Sequence, residues 1–355
     1  MSTIAAAVPE TAKNALLGWA RFGVERGAEH LERAESGLIN QTWTIRDLEG
    51  RPTGVLQRLN TAIFTPRVHE DIAAVTAHLA AKGLATPRLV PTDAGKLWWW
   101  ENEDGVWRRF DWIGDRTIEK VIRPEDAAAA GRLVGRFHKA TEDFDWEFRS
   151  ARGGFHDTPL RMKQLRTVLE KYPNHRLFTA VKPLAKSIFD HFTWLREPAE
   201  LPRRVVHGDL KISNIRFQND EALALIDLDT LAWGTLDAEL GDAFRSWCNS
   251  SSEDDENPTF SIDIFAAGLR GYAETSNPTD PEWEALVDGV ERITLELSAR
   301  FAADALEEKY FGFHAKYGGC GEHNLLRATG QFRLAQSLRA QRSKADALVQ
   351  QIRAR

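Results

Sequence analysis

The chain has 355 residues, 43% hydrophobic and 28% charged, with 52 acidic against 46 basic side chains and a net charge of −6. That length suits one large or two medium domains; the composition excludes a disordered chain, and the negative balance excludes a basic surface for nucleic acid or an anionic membrane. Two cysteines, Cys248 and Cys320, exclude a disulfide framework.

The N-terminal stretch "MSTIAAAVPETAKNALLGWARFG" carries Glu10 and Lys13 too early for the apolar region of a signal peptide. No uncharged apolar run approaches the ~20 residues that span a bilayer, so the expectation is a soluble, cytoplasmic protein. An amphipathic helix over about residues 10–27 opens the chain. "LERAESGLINQTWTIRD" predicts a strand, a glycine turn and a second strand; "GVLQRLN" predicts a third, reached through the hairpin turn "LEGR". "TPRVHEDIAAVTAHLAAKG" predicts a helix capped by Thr65, with Pro66 at its first position and Gly83 closing it. Ile72, Val75 and Leu79 share one face of it. "KLWWWENEDGVWRRFDWIGD" predicts two more strands around an Asn-Glu-Asp-Gly turn, so this third runs three strands, a helix and two strands.

From about residue 120 the pattern turns helical. "RPEDAAAAGRLVGRFHKATEDF" places Leu133 and Phe137 on one face; "MKQLRTVLEKY" and "LFTAVKPLAKSIFDHFTWL" continue it. After a polar interruption at 205–230, helices resume at "DAELGDAFRSW", "SIDIFAAGLRGYAE", "PEWEALVDGVERITLELSARFAADALEEKYF" and "NLLRATGQFRLAQSLRAQRSKADALVQQIRA". "NSSSEDDENPT" (249–259) reads as a mobile surface loop. The simplest architecture is α+β, a small β-rich lobe joined to a larger helical one, with ligands expected in the cleft between them.

The interruption, "VVHGDLKISNIRFQNDEALALIDLDT", carries the chemistry. Val205 and Val206 form a short strand ending at His207-Gly208; Asp209 follows, and Asn214 precedes the next apolar run. "QNDE" reverses the chain and "ALALI" delivers Asp227 and then Asp229. Hairpin geometry gathers Asp209, Asn214 and Asp227 at one end of the strand pair. Three clustered oxygen groups repel one another unless a cation sits among them. Carboxylate and amide oxygens together suit Mg²⁺ or Mn²⁺ rather than zinc.

"HGDLKISN" is similar to the protein-kinase catalytic loop H-R-D-L-K-x-x-N with glycine at the arginine position, and "IDLD" stands where that family has D-F-G. The glycine form resembles the aminoglycoside phosphotransferase and choline kinase superfamily of small-molecule kinases. Within it, "INQTWTI", "VLQRLN", "WRRFDWIGD" and "IDLDTLAWGTLDAELGDAFR" look most like the N-acetylhexosamine 1-kinase branch. The resemblance covers residues 30–250 and is strongest from 205 to 245. It implies a bilobal protein-kinase-like fold. Residues 1–110 would be a nucleotide-binding lobe with a small antiparallel sheet and one main helix; residues 111–355 would be a mainly helical lobe holding the catalytic loop and acceptor site.

By that resemblance Asp209 is the catalytic base, and Asn214 and Asp227 hold the Mg²⁺ ions that bridge the phosphates of ATP. Lys211 is a γ-phosphate contact or a solvated loop lysine, and Asp229 a second metal or substrate contact or a cap. His207 is expected to be a buried imidazole bonded to backbone. Gly37 and Asn40, in "ESGLIN", stand at the phosphate loop, although an ordinary β-turn explains Gly37 equally well. "GVLQRLN" lacks the strand lysine that grips the α- and β-phosphates. Gln57 occupies the nearest position and Arg58 the next, and strand alternation sends them to opposite faces. Glu70 is the ion-pair candidate on the following helix or a surface carboxylate. Phe110, Asp111, Trp112 and Ile113 stand where adenine meets backbone groups, or belong to the core. Trp233, Asp242 and Arg245 are candidate sugar contacts; the charged pair equally suits an ion pair anchoring its helix.

No Ala-Pro-Glu segment or long activation loop follows Asp229, which favours a small polar, hydroxyl-bearing acceptor over a protein. A hexose or amino sugar is the first expectation, with aminoglycosides, choline and homoserine open, as is oligomeric state. Other readings compete. Asp227-Leu-Asp229 fits the D-x-D site of a nucleotide-sugar transferase but leaves "HGDLKISN" unexplained. A metal-dependent phosphohydrolase could use His207 and the aspartates as ligands, but the histidines are scattered rather than clustered; separately, His314, Cys320 and His323 hint at zinc but lack a fourth ligand in range. A non-catalytic nucleotide-binding scaffold accounts for the missing lysine, but has no need to keep Asp209, Asn214 and Asp227 together.

Overall fold

The computed structural model describes residues 21–22, 29–34, 39–101, 105–150, 156–197 and 200–354. Their contacts define two compact units, one reaching residue 113 without residues 82–84, the other made of 82–84 and 114 onward. The predicted opening helix lies outside the described residues except at 21–22, as do Gly37 and most of the Asn-Glu-Asp-Gly turn.

The first unit is an antiparallel sheet of β1 (Glu29–Arg33), β2 (Gln41–Asp47), β3 (Pro52–Leu59), β4 (Leu89–Val90), β5 (Trp99–Glu101) and β6 (Gly105–Asp111). Its order is β1-β2-β3-β6-β4, with β5 also on β6. Alternation sends Trp43, Ile45, Leu56 and Trp107 to one face, where they pack with Phe22. β4 escaped prediction because two residues show no alternation. The helix α1 (Val68–Ala81) begins two residues after Pro66. Pro66 and Arg67 turn ahead of it, the Val68 amide donating to the Thr65 carbonyl at 3.1 Å. Ile72, Val75 and Leu79 are buried as their spacing requires.

The second unit opens with α2 (Pro124–Ala140), α3 (Thr158–Lys171) and α4 (Phe178–Phe192). Two ribbons follow: β7 (Arg203–Val206) pairs with β10 (Ala232–Thr235), and β8 (Ile215–Gln218) with β9 (Glu221–Leu225). The strand before His207 therefore lies outside the hairpin predicted to gather the site. Five helices complete the unit: α5 (Leu236–Trp247), α6 (Ile262–Ala273), α7 (Asp280–Glu307), α8 (Cys320–Ala340) and α9 (Arg342–Arg353).

Helix α7 opens on a capping box between Thr279 and Glu282 and is buried along most of its length. Its Leu295 and Phe301 share a core with Met162 and Leu165 of α3 and Val181 and Ile188 of α4. Helices α5 and α7 approach to backbone contact, since a Cβ on Gly241 would lie 2.7 Å from the Gly289 carbonyl oxygen. The last predicted helix is two, parted at Gln341, whose amide donates to Phe260 and Ser337 carbonyls at 2.9 and 3.2 Å. No described helix is long and apolar enough to cross a membrane.

The acidic segment 249–259, expected as a mobile surface loop, is tied down. Glu253 accepts from Arg245 at 3.0 Å, and Asp254 accepts from His323 and Arg327 at 2.7 Å each. The same bonds answer the zinc reading. The His323 ring nitrogens are taken by Asp254 and the His314 amide, and Cys320 donates to the Phe311 carbonyl. No group of three or more His, Cys, Asp and Glu side chains among the described residues is placed to hold a metal.

Candidate active site

Strand β7 leads directly into His207, which is fully buried and bonded through both ring nitrogens. Nε2 lies 2.8 Å from the Ile226 carbonyl, while Nδ1 accepts the Asp209 amide at 3.2 Å. The backbone of Gly208 lies at φ +82°, a conformation that costs any residue with a Cβ. Its amide donates to Glu239 Oε2 at 3.0 Å and the His207 amide to Oε1 at 2.7 Å, so one carboxylate clamps both. Burial pushes the Glu239 carboxyl up, but His138, 3.5 Å away, together with His207 holds it below the usual carboxylate range.

Helix α5 supplies more of the frame. Trp247 Nε1 donates to the Leu210 carbonyl at 2.8 Å, and Ser246 Oγ accepts the Ile212 amide at 3.2 Å. Thr230 Oγ1 donates to the His207 carbonyl at 2.7 Å. The loop is rigid because its amides and carbonyls are bound by side chains from beyond it.

Within this frame Asp209 stands 29% exposed, open enough to meet a substrate. Its Oδ2 accepts from Lys211 Nζ and Asn214 Nδ2 at 3.0 Å each. Burial acting alone pushes the Asp209 carboxyl up; the Lys211 charge and hydrogen bond, then Arg245 and His207, bring it below its ordinary range. Lys211 is correspondingly pushed up, first by Asp209 and also by Asp227.

Asn214 spends its Nδ2 on Asp209 Oδ2 and, at 2.8 Å, on the Asp209 carbonyl, which turns its amide oxygen away as a further acceptor. The Ile226 amide donates to the Asn214 carbonyl at 2.9 Å, bringing Asp227 to the mouth of the β8–β9 hairpin. Asp227 takes a left-handed backbone (φ 62°, ψ 55°), which aspartate tolerates better than most residues. Asp229 is buried in the following turn, Leu228–Thr230. One amide and one or two carboxylate oxygens fit Mg²⁺, which prefers a few protein oxygens with phosphate and water completing its shell.

Asp242 and Arg245 lie on α5 near this loop. Arg245 Nε donates to Asp242 Oδ1 at 2.9 Å; the other oxygen, Oδ2, is buried with no hydrogen-bond partner among the described residues. Burial draws Arg245 down, but Asp242, Glu253 and Asp209 raise it further, so it stays charged. Trp233, on β10, donates Nε1 to the Trp146 carbonyl at 2.9 Å, with Phe148 edge-on to its ring.

The remaining candidates sit in the first unit. Asn40 Oδ1 accepts the Asn60 amide at 2.9 Å, tying the start of β2 to the end of β3. Gln57 is the cross-strand partner of Arg108, and Arg58 of Trp107, so the two face opposite sides. Glu70 lies in the first turn of α1, 3.9 Å from Arg67. Phe110 is a buried sheet residue. The Asp111 amide donates to the Arg88 carbonyl at 3.1 Å and its Oδ1 accepts the Arg88 amide at 2.6 Å, while Trp112 and Ile113 are half-buried beyond it. Sequence reasoning missed Glu239, Ser246 and Trp247, which hold the loop. The one available signal was a glutamate amid the apolar and small residues of "DAELGDAF".

Comparison with known proteins follows the same lines. The sequence model described as "Phosphotransferase enzyme family" (APH) matches residues 30–277. A homoserine kinase from Zymomonas mobilis subsp. mobilis is 22% identical over 231 residues, 60% of this chain and 63% of that relative, so the match spans less than two thirds of its length. The microcompartment-associated aminopropanol kinase superposes with a TM-score of 0.62 at 17% identity, over 95% of this chain and 99% of its own. An amicoumacin kinase in complex with AMP-PNP, Ca²⁺ and Ami gives 0.59 at 14%, over 96% and 92%. The fold is thus the α+β fold of these small-molecule kinases.

Proposed function

The chain belongs to the phosphotransferase enzyme family, and from that premise we propose that it moves the γ-phosphoryl of ATP onto a hydroxyl of a small polar metabolite. The observation that carries the reading is the contact of Asp209 with both Lys211 and Asn214, at a carboxylate kept ionised yet partly exposed. Such a group accepts the acceptor's hydroxyl hydrogen, fixes its oxygen in line for transfer and takes the proton as the new bond forms. Lys211, held on Asp209, supplies positive charge where negative charge develops. Asn214 and Asp227 would hold Mg²⁺, which screens the phosphate charges when bound. Residues up to Ile113 contribute the nucleotide contacts.

A hexose or amino sugar is the acceptor we favour. The buried, unpartnered Oδ2 of Asp242 offers an acceptor for a hydroxyl, and the Trp233 indole offers a face for a sugar ring. A second reading, an amino alcohol or hydroxy amino acid, draws on the homoserine and aminopropanol kinases among the similar proteins. A coupled ADP-release screen over sugars, amino sugars, aminoglycosides, choline, aminopropanol and homoserine tests both. Turnover with a sugar alone supports the first, turnover with homoserine or aminopropanol alone replaces it with the second, and no acceptor-dependent ADP release from any of them ends the kinase reading.

A further inference from the structure

The Glu239 carboxylate that clamps His207 and Gly208 is itself met from behind by a second histidine. His138, 2% exposed on α2, sets Nε2 3.5 Å from Glu239 Oε1, and its Nδ1 lies 2.8 Å from the hydroxyl of Tyr272, buried on α6. The partners assign the protons. An ionised Glu239 faces a ring N–H rather than a lone pair, so the His138 proton sits on Nε2 and Nδ1 accepts from the Tyr272 hydroxyl. Each hydrogen in the chain then points toward the carboxylate: Tyr272 to His138, His138 to Glu239, and the two loop amides to Glu239 from their own side. At 3.5 Å the middle link is a charge contact, and Nε2 makes no hydrogen bond elsewhere. Water screens it little at this depth.

The frame that holds the pair is rigid. Helices α2 and α6 meet backbone to backbone: a Cβ on Gly131 would lie 2.1 Å from the Gly268 carbonyl oxygen, and one on Gly271 2.1 Å from that of Ala128. Thr275 Oγ1, just past α6, donates to the Arg132 carbonyl at 2.9 Å. His138 and Tyr272 therefore cannot part without prising two helices.

We propose that His138, oriented by Tyr272, is a positioning residue for the catalytic loop: it keeps Glu239 an acceptor for both loop amides and, through them, fixes Asp209. Without it, burial favours the protonated acid, whose O–H turns an acceptor into a donor and releases an amide. The ionisable groups that act on Glu239 are His138 from α2 and His207 from the loop; Tyr272 stands beyond His138, and Arg204 and Glu282, whose charges reach Tyr272, pair with each other at 2.6 Å. The role of Asp209 as base rests on the reading above; the test does not.

That test is amide hydrogen exchange, corrected for intrinsic rates, from about pH 4 to pH 8 on the wild-type chain, His138→Leu, His138→Gln and Tyr272→Phe. At neutral pH, His138→Leu should speed exchange at His207 and Gly208 on the order of 10- to 100-fold, as loss of a hydrogen bond to a charged group does, and more than at the amides of α2 and α6. The pH at which the two amides lose protection should move up, because a carboxyl freed of its principal partner protonates sooner as pH falls. His138→Gln, which keeps an N–H donor on a side chain of similar reach, should stay near wild type, and Tyr272→Phe should fall between. Equal acceleration across loop, α2 and α6 marks a packing residue and overturns the assignment, as does an unmoved pH midpoint or a glutamine variant as fast as the leucine one. If His138→Leu does not fold, Tyr272→Phe decides: unchanged exchange at His207 and Gly208 overturns the assignment. A chain that transfers no phosphoryl group would remove the kinase reading and leave these outcomes as they stand.

Discussion

The loop at 207–227 and the sheet at β3–β6 hold their charges in different ways. In the loop, Asp209 is met by two cations and an amide, and Glu239 is met by two backbone amides and a histidine. Each acid stays ionised because charge or backbone donors compensate it. On the sheet, Arg108 is oriented by a neutral glutamine. The lesson is that the loop keeps its acids ionised with charges and backbone donors from beyond it, while on the sheet a neutral glutamine bridges an arginine to the neighbouring strand.

Breaking the compensated side should have the largest effect. Asp209→Asn should lower kcat by roughly 10²- to 10⁴-fold, the usual contribution of a general base, while calorimetry finds ATP affinity nearly intact; wild-type turnover would remove Asp209 from the chemistry. Glu239→Ala should cost about 3 kcal/mol in thermal or denaturant unfolding, because it strands two buried amides. Its pH dependence has a fixed sign. The folded-state pKa of Glu239 lies below its unfolded value, so its contribution is full above the ordinary glutamate range and fades as pH falls below ~4.

Lys211→Met sharpens the comparison. With the principal opposing charge gone, burial would act on Asp209 and push its carboxyl up. The acidic limb of kcat/KM should then move to higher pH; an unmoved limb would mean that Asp209 does not govern it. Gly208→Ala should cost roughly 1–2 kcal/mol through its left-handed backbone, seen as a lower Tm. Smallest of all, Arg58→Met should leave ATP affinity within about 2-fold, since its charge lies on the other face.

Much of the loop was legible because its contacts are local. Asp209, Asn214 and Asp227 lie within a span that one tight hairpin can gather. Glu239 was not, because its amides are 31 and 32 residues away and a glutamate in a helix usually points to water. The Gln57–Arg108 bond escaped for a related reason: alternation gives a residue's face within its own strand, but only the β3–β6 register reveals that Arg108 lies opposite Gln57. The loop at 249–259 looked mobile because its composition is acidic, yet His323 and Arg327, some 70 residues on, hold Asp254. At Gln341 no glycine or proline marks the break between α8 and α9, and the side-chain bonds there depend on tertiary neighbours.

The near touch of Gly241 and Gly289 has a wider consequence. Glu239, Asp242 and Arg245 ride on the same short rod as Gly241, so a single methyl at 241 or 289 would act as a wedge that lifts all three together. Damage would then reach the chemistry from two positions that bear no reactive group.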